Sequence, residues 1–327
     1  MRWLTRIPRP ADLRHDESGA VAIVLAVAMV VLIGATTFTL DVGALYAERQ
    51  QLQNGADAAA IAIAQDCATG SCGSPQATAQ TLANANANDA AANVNTVSFP
   101  APGVVHLTAK TRVAGSNAGA LALSFAPVLG ITSRSVAASA NATWGSPASG
   151  PAVLPLAFAP CKFMLGGPTQ VISMHGDSGG TPCTSVSPSG QLLPGGFGWL
   201  NDPSNSCSAN VSIANHSLLS GSTGSSLPGA CAAVLTAHAN KTILLPVYSD
   251  LGGTGSGAWY VIRGWAAFKL LGWNFPGNNY NNTIYAGAKC SGSCKGLIGK
   301  FVNLVSLDDR FTLGGPNLRA SVVTLTQ

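Results

Sequence analysis

Apolar residues fill one uninterrupted stretch near the start of the chain, Ala20 to Leu40, which reads AVAIVLAVAMVVLIGATTFTL and contains no charged residue. A helix of this length measures about 31 Å, close to the hydrocarbon thickness of a bilayer. The stretch exceeds the apolar core of a cleaved signal peptide, for which Val42-Gly43-Ala44 would be a weak cleavage site. Soluble core helices rarely stay apolar on all sides. The pattern therefore predicts a transmembrane helix over residues 20–40.

The flanking charges predict the orientation of this helix. Four arginines precede it, whereas Arg49 is the one basic residue in the first 20 positions after it. Basic residues concentrate on the cytoplasmic side of a membrane span. We therefore expect residues 1–19 to form a cytoplasmic leader and the chain from Asp41 onward to lie outside the cytoplasm of a single-pass membrane protein. The four arginines are Arg2, Arg6, Arg9 and Arg14.

Helical periodicity continues beyond the span and predicts an amphipathic stalk. Its apolar face carries residues spaced at 7, 4, 3 and 4 positions, namely Leu45, Leu52, Ala56, Ala59 and Ile63. Small residues on a helix let a second helix approach closely, so this face is a candidate binding surface for a partner or for another copy of the chain. The other interpretation, that the face covers its own domain, is equally open.

The remainder of the chain predicts an α+β protein. Residues 41–145 read as the stalk followed by a small α/β segment, with a helix over Ala77–Ala92, a short helix over Asn117–Leu129 and alternating strands such as Ser135–Trp144. Residues 146–151 are rich in Gly, Ser and Pro and predict a linker. Residues 152–327 contain short β-branched and aromatic runs bounded by glycine, which predicts a mostly β extracytoplasmic domain.

All eight cysteines lie on the side of the span assigned to the exterior, which favours disulfides over metal binding. Sequence proximity favours Cys67 with Cys72 and Cys290 with Cys294, and leaves four cysteines for larger loops. Those four are Cys161, Cys183, Cys207 and Cys231.

Charge and composition narrow the classes of partner. Charged residues make up 9% of the chain and the net charge is +4, without a basic cluster that could neutralise several phosphates. Nucleic acid is therefore not an expected partner. Five histidines spread along the chain do not suggest a zinc site, and we expect no cofactor and no small-molecule substrate.

One stretch resembles the surroundings of a serine protease nucleophile. Gly176-Asp177-Ser178-Gly179-Gly180 has that pattern, but the mechanism needs a histidine base and a buried aspartate that precede the serine. His106 falls in a predicted strand without the usual setting. A glycine-rich turn is the favoured interpretation, and a tethered serine hydrolase centred on Ser178 is the alternative. The adjacent Asp308-Asp309 pair indicates a polar turn rather than an acid/base couple.

The segment from Asp16 to Ala64 resembles the N-terminal domain of the TadE/TadG-like pilus-assembly proteins of the tight-adherence (Flp pilus) system. The features that carry the resemblance are Ser18-Gly19 before the span, Asp41 and Gly43 at its outer end, Tyr46, Arg49, Leu52-Gln53 and Ala56-Asp57-Ala58-Ala59. The resemblance implies a non-catalytic component of a pilus-assembly or cell-envelope structure, with membrane lipid and other envelope proteins as partners. A ligand-binding surface module unrelated to pili is a third possibility.

Two departures from that family and one boundary residue qualify this expectation. Pilin-type precursors carry a glutamate five residues after the processed glycine, where this chain has Val24. Some TadG-like members bear a von Willebrand A domain, which we do not expect here, although Asp202-Pro203-Ser204-Asn205-Ser206 matches the Asp-x-Ser-x-Ser spacing of its metal motif. Asp41, the charge at the outer membrane boundary, is expected to contact lipid headgroups or to pair with a neighbouring subunit.

Overall fold

The structure is a computed structural model that describes residues 18–174, 196–214, 218–222, 226–253 and 258–326. It begins with one long helix, α1 (Ser18–Ala68, 51 residues), about 77 Å from end to end. The helix runs through the predicted span and the predicted stalk without a break. The rest of the chain is mainly β-sheet with disulfides, which confirms the predicted α+β class.

The elements that follow α1 form two groups in chain order. The first group comprises α2 (Pro75–Asn86), β1 (Ala92–Val94), β2 (Ser98–Ala101), β3 (Val104–Thr111), β4 (Leu121–Ala122), a 3₁₀ helix (Ala126–Leu129), β5 (Ser133–Arg134) and β6 (Ala137–Gly145). The second group begins with β7 (Pro147–Ala152), β8 (Leu156–Phe158), a 3₁₀ helix (Pro160–Lys162), β9 (Gln170–Ser173), β10 (Phe197–Leu200), β11 (Ala209–Ser212) and β12 (Leu218–Ser222). It ends with α3 (Cys231–Ala237), β13 (Thr242–Gly252), β14 (Ala258–Phe275), β15 (Asn278–Tyr280), β16 (Gly296–Val302), β17 (Leu304–Ser306), β18 (Thr312–Leu313) and β19 (Ala320–Thr326).

The outer half of α1 packs with α2 against a sheet of order β1-β3-β6-β19-β17, to which β2 adds at β3. Side chains along β3 alternate between buried and partly exposed positions, as expected for a strand with one face in a core. Val105, Leu107 and Ala109 are fully buried beneath the helices. These residues join the buried face of α1 in one apolar core. We call it the membrane-proximal core because it contains the part of α1 that follows the predicted span.

The C-terminal strand β19 belongs to this first sheet, although it lies at the opposite end of the sequence. It pairs antiparallel with β6, where Val323 lies opposite Trp144, and parallel with β17. Val323 is buried in the membrane-proximal core, whereas its neighbour Val322 is buried in a second core on the other face of the sheet. The last strand therefore closes both cores, and residues 152–327 are not a separate unit as the sequence predicts.

The linker predicted at residues 146–151 is wrong, because these residues form most of strand β7. This strand pairs antiparallel with β11, where Gly150 lies opposite Val211, and with β18. The ring of Phe311 lies where a Cβ on Gly150 would project. Glycine is thus present for a close approach between chain segments rather than for flexibility.

A larger sheet of order β12-β10-β8-β13-β14-β16-β9 forms the membrane-distal part, with β15 paired to β14. Its centre is the antiparallel pair of β13 and β14, 11 and 18 residues long. Aromatic side chains fill its core, where the ring centroids of Phe158 and Phe268 lie 5.2 Å apart. Burial on both faces agrees with the continuous apolar runs in the sequence.

Three disulfides join described cysteines: Cys67–Cys72, Cys207–Cys231 and Cys290–Cys294. The first and third are the pairs that sequence proximity favours. Cys161 is also disulfide-bonded, and Cys183 lies outside the described residues. The Cys207–Cys231 bond links the start of β11 to α3 and spans 24 positions of sequence.

We expect the double substitution Cys207→Ala and Cys231→Ala to lower the free energy of unfolding by about 3 kcal/mol, because the bond restricts a long loop in the unfolded chain. The matched control is Cys290→Ala with Cys294→Ala, whose bond spans four positions and should contribute about 2 kcal/mol. Denaturant titration of both variants measures the difference. An equal loss in both variants, or a larger loss in the control, would contradict the loop-length argument.

Candidate functional site

The first half of α1 is an exposed apolar surface in the described part of the chain. Among the described residues, α1 is the one helix long and apolar enough to cross a membrane, and its apolar window is 0% buried. Large side chains such as Val30 and Leu32 are 71% and 64% exposed. A soluble protein does not leave such a surface in water, so the exposure favours the predicted span.

Asp41 follows the predicted span directly and is 6% exposed. Its carboxylate accepts three backbone hydrogen bonds: Oδ1 from the N–H of Ser124 at 2.9 Å, and Oδ2 from the N–H groups of Phe125 at 2.9 Å and Ala126 at 2.7 Å. These N–H groups open the 3₁₀ helix Ala126–Leu129, which has no side-chain cap of its own. Asp41 therefore caps a distant helix end of the same chain.

This geometry gives Asp41 an intramolecular role, and its expected contact with lipid headgroups or a neighbouring subunit stays a prediction. Both carboxylate oxygens are already occupied by backbone donors more than 80 positions away in sequence. Burial raises the pKa of Asp41, but the hydrogen bonds from Ala126, Ser124 and Phe125 outweigh it and lower the pKa below its ordinary value of 3.8. The carboxylate is consequently ionised at neutral pH and is positioned to hold the capped segment against α1.

The helix predicted over Asn117–Leu129 is also wrong. The segment forms the short antiparallel pair of β4 and β5, joined through the 3₁₀ helix, and we call residues 121–134 the boundary hairpin. Pro127 stands in the first turn of the 3₁₀ helix, and Gly130 ends it with φ of 79°. Pro127 and Gly130 are close together in the sequence, and both residue types disfavour a longer α-helix.

We expect Asp41→Asn to reduce the hydrogen-exchange protection of the Ser124, Phe125 and Ala126 amides by about tenfold, since hydrogen bonds to a charged acceptor are the strong ones. The asparagine amide would place its NH₂ group against backbone donors. The matched control is Asp57→Asn on the same helix, whose side chain is bonded by Gln53 at 2.8 Å. Undiminished protection in Asp41→Asn would contradict the capping role.

Because the folded pKa of Asp41 is lowered, its contribution is present above the unfolded value and is lost as the pH falls through the folded value. Protection of the same three amides, corrected for intrinsic exchange, should therefore fall on acidification below pH 3.8 in the unsubstituted protein. In Asp41→Asn, the protection of these three amides should not fall in this way on acidification.

Four of the five residues of the stalk face proposed for partner binding lie inside the membrane-proximal core. Leu52 is 2% exposed, Ala56, Ala59 and Ile63 are fully buried, and Leu45 is half-buried. A Cβ on Gly55 would lie 3.0 Å from Cα of Ala83 in α2, which shows how closely the two helices approach. The small residues do serve close helix packing, but their partner in this structure is α2 of the same chain.

A different face of α1 remains open to solvent above the span. Val42, Tyr46 and Arg49 follow one another at helical spacing, and their exposure continues that of the apolar window. Tyr46 is 65% exposed. The sequence analysis did not find this stripe, because helical periodicity was read from apolar residues alone. The stripe contains both apolar and polar side chains. We call Val42, Tyr46, Arg49 and Gln50 the open stripe.

Glu48 lies between the open stripe and the sheet. Burial raises its pKa, Asp89 raises it further by repulsion, and a hydrogen bond from Thr111 lowers it, with a net rise. Thr111 itself is 2% exposed and bonds the backbone of Val136 through its Oγ1. Glu48 thus contacts the sheet at the base of the boundary hairpin, seven residues above Asp41.

The residues considered for catalysis do not form a site in the described part of the chain. His175, Asp177 and Ser178 lie outside the described residues, so the hydrolase alternative stays a prediction. Asp308 is held by Arg310, with a 2.6 Å contact to the guanidinium, and this hydrogen bond keeps the pKa of Asp308 low. Within the described ranges, no three His, Cys, Asp or Glu side chains come together as metal ligands.

Comparison with known protein families finds one match, in the N-terminal segment. Residues 19–66 match the family model described as putative Flp pilus-assembly TadE/G-like. The match covers nearly all of α1, including Asp41 and the open stripe, and confirms the resemblance seen in the sequence. No curated protein and no solved structure matches the chain significantly. The chain is therefore similar to TadE/G-like proteins over its N-terminal segment, which carries the one described helix long and apolar enough to cross a membrane.

Proposed function

We propose that the protein is a non-catalytic, membrane-anchored component of a tight-adherence (Flp-type) pilus assembly or of a related envelope structure. Its N-terminus lies in the cytoplasm and its body outside, as the arginines before the span favour. The observation that carries the proposal is the arrangement of α1 within the matched segment. One half is exposed and apolar, and the other half is built into the folded body.

The open stripe is the surface we assign to assembly partners. It lies on the matched segment and begins directly after the span. Its exposed Tyr46 and Arg49 are residue types enriched at protein interfaces. Another small-residue or pilin-like helix that leaves the membrane beside α1 would meet this stripe first.

The test is complementation of a deletion strain with variants of the full chain. Tyr46→Ala with Arg49→Ala should reduce surface piliation at unchanged protein level. The matched control is Ile284→Ala with Arg263→Ala, two exposed residues on the membrane-distal part. Ser178→Ala should leave piliation unchanged if the protein is a scaffold. Normal piliation in the deletion strain itself would overturn the pilus role.

Orientation is tested separately by protease treatment of spheroplasts. The body from residue 41 onward should be digested, whereas an epitope placed in residues 1–19 should survive until the membrane is opened with detergent. Digestion of the epitope in intact spheroplasts would reverse the proposed orientation.

A further inference from the structure

The boundary hairpin presents an apolar tip to its surroundings. Val128 is 90% exposed, the largest exposed fraction among the large hydrophobic side chains of the described residues, and Phe125 is 39% exposed. No charged residue occurs between Arg112 and Arg134. An exposed valine close to an exposed phenylalanine in an uncharged segment indicates a contact site for an apolar surface.

Two contacts fix the direction in which the hairpin points along α1. Its base leads into Val136, whose backbone is hydrogen-bonded to Thr111 beside Glu48, and its tip lies beside Asp41, which binds the N–H groups of residues 124–126. Seven residues of helix separate these two levels, a rise of about 10 Å. The hairpin therefore descends along the helix toward the predicted span, and its tip stops at the first residue outside it.

The two strands of the hairpin form a small sheet of their own. Leu121 pairs with Arg134 and Ala122 with Ser133 in a two-stranded unit separate from the larger sheets. Arg134 is exposed at its base. A basic residue above an apolar tip is the order of groups that suits a lipid interface, because the tip meets acyl chains while the guanidinium meets phosphates.

We propose that the tip of the boundary hairpin, Phe125 to Val128, inserts into the outer leaflet beside α1 and is a second membrane contact of the protein. This proposal rests on the proposed span, because the height of the tip is defined relative to it. Lipid is the occupant we infer, since the exposed apolar tip is bound to Asp41, the residue that directly follows the exposed apolar part of α1.

The experiment measures the depth of a nitroxide spin label in the full chain, reconstituted in vesicles of phosphatidylethanolamine and phosphatidylglycerol. Labels are attached at Val128→Cys, at Val27→Cys within the span, and at Ile284→Cys, an aliphatic residue that is 64% exposed on the membrane-distal part. Accessibility to oxygen is compared with accessibility to a water-soluble nickel chelate. Substitution of such exposed residues should leave the fold intact.

We expect the oxygen-to-nickel ratio at Val128 to exceed that at Ile284 by about threefold or more, as for a residue some 5–10 Å into the interface. A lipid-like ratio at Val27 with a water-like ratio at Val128 would overturn the hairpin contact and leave the span intact. Water-like ratios at both would overturn the span as well. Shielding of Val128 from both reagents would show a protein neighbour, such as a second copy, and would also overturn the proposal.

Discussion

Val323→Asp is expected to unfold the membrane-proximal part of the protein. Val323 is 1% exposed and belongs to the core formed by α1, α2 and the first sheet. A carboxylate there would be buried without a partner, which costs about 4 kcal/mol or more. Because whole domains are stable by only about 5–15 kcal/mol, this loss should abolish cooperative unfolding of that part. Circular dichroism and limited proteolysis of the detergent-solubilised protein measure it.

The matched control is Leu325→Asp on the same face of the same strand. Leu325 lies two residues further along β19 and is 43% exposed, so the new carboxylate can remain hydrated. We expect its midpoint of unfolding to stay close to that of the unsubstituted protein. If Val323→Asp were as stable as Leu325→Asp, the insertion of the C-terminal strand beside β6 would be wrong.

Ile63→Ala is expected to lower the free energy of unfolding by about 2–5 kcal/mol, because it leaves a cavity in a packed core. Ile63 is fully buried among the residues of α1, α2 and the sheet. Thermal or denaturant unfolding of the solubilised protein gives the value directly. The result separates the two interpretations of the stalk face, since a surface reserved for partners would not stabilise the isolated protein.

The control for this substitution is Val42→Ala on the same helix, where the side chain is 48% exposed. Its effect on stability should stay within about 0.5 kcal/mol. If Ile63→Ala left stability unchanged but abolished pilus assembly, the buried position of the stalk face would be contradicted and the partner-binding interpretation restored.

Local patterns predicted the individual elements well. The apolar run and the period of the stalk predicted α1, and alternation in Ser135–Trp144 predicted β6 (Ala137–Gly145). The long apolar run after residue 258 became the central strand β14. These predictions succeed because periodicity depends on neighbours in sequence, which are also neighbours in the element.

Relations between distant residues could not be predicted in the same way. Nothing near Asp41 in sequence indicates that its carboxylate binds N–H groups of residues 124–126, and nothing near β19 indicates that it pairs with β6. The same limit explains the linker error, because Gly150 reads as flexible until Phe311 is seen against it. The stalk face was identified as a packing surface, but its partner could be found only from the fold.

In the proposed membrane-anchored arrangement, the unbroken course of α1 couples the tilt of the span to the position of the folded body. The end of the helix at Ala68 lies 27 positions after Asp41, which places this far end about 40 Å above the boundary. Membrane helices commonly tilt by about 20°, and this angle would shift that far end sideways by about 14 Å. A thicker or thinner bilayer, by changing the tilt, would therefore swing the whole body across the cell surface.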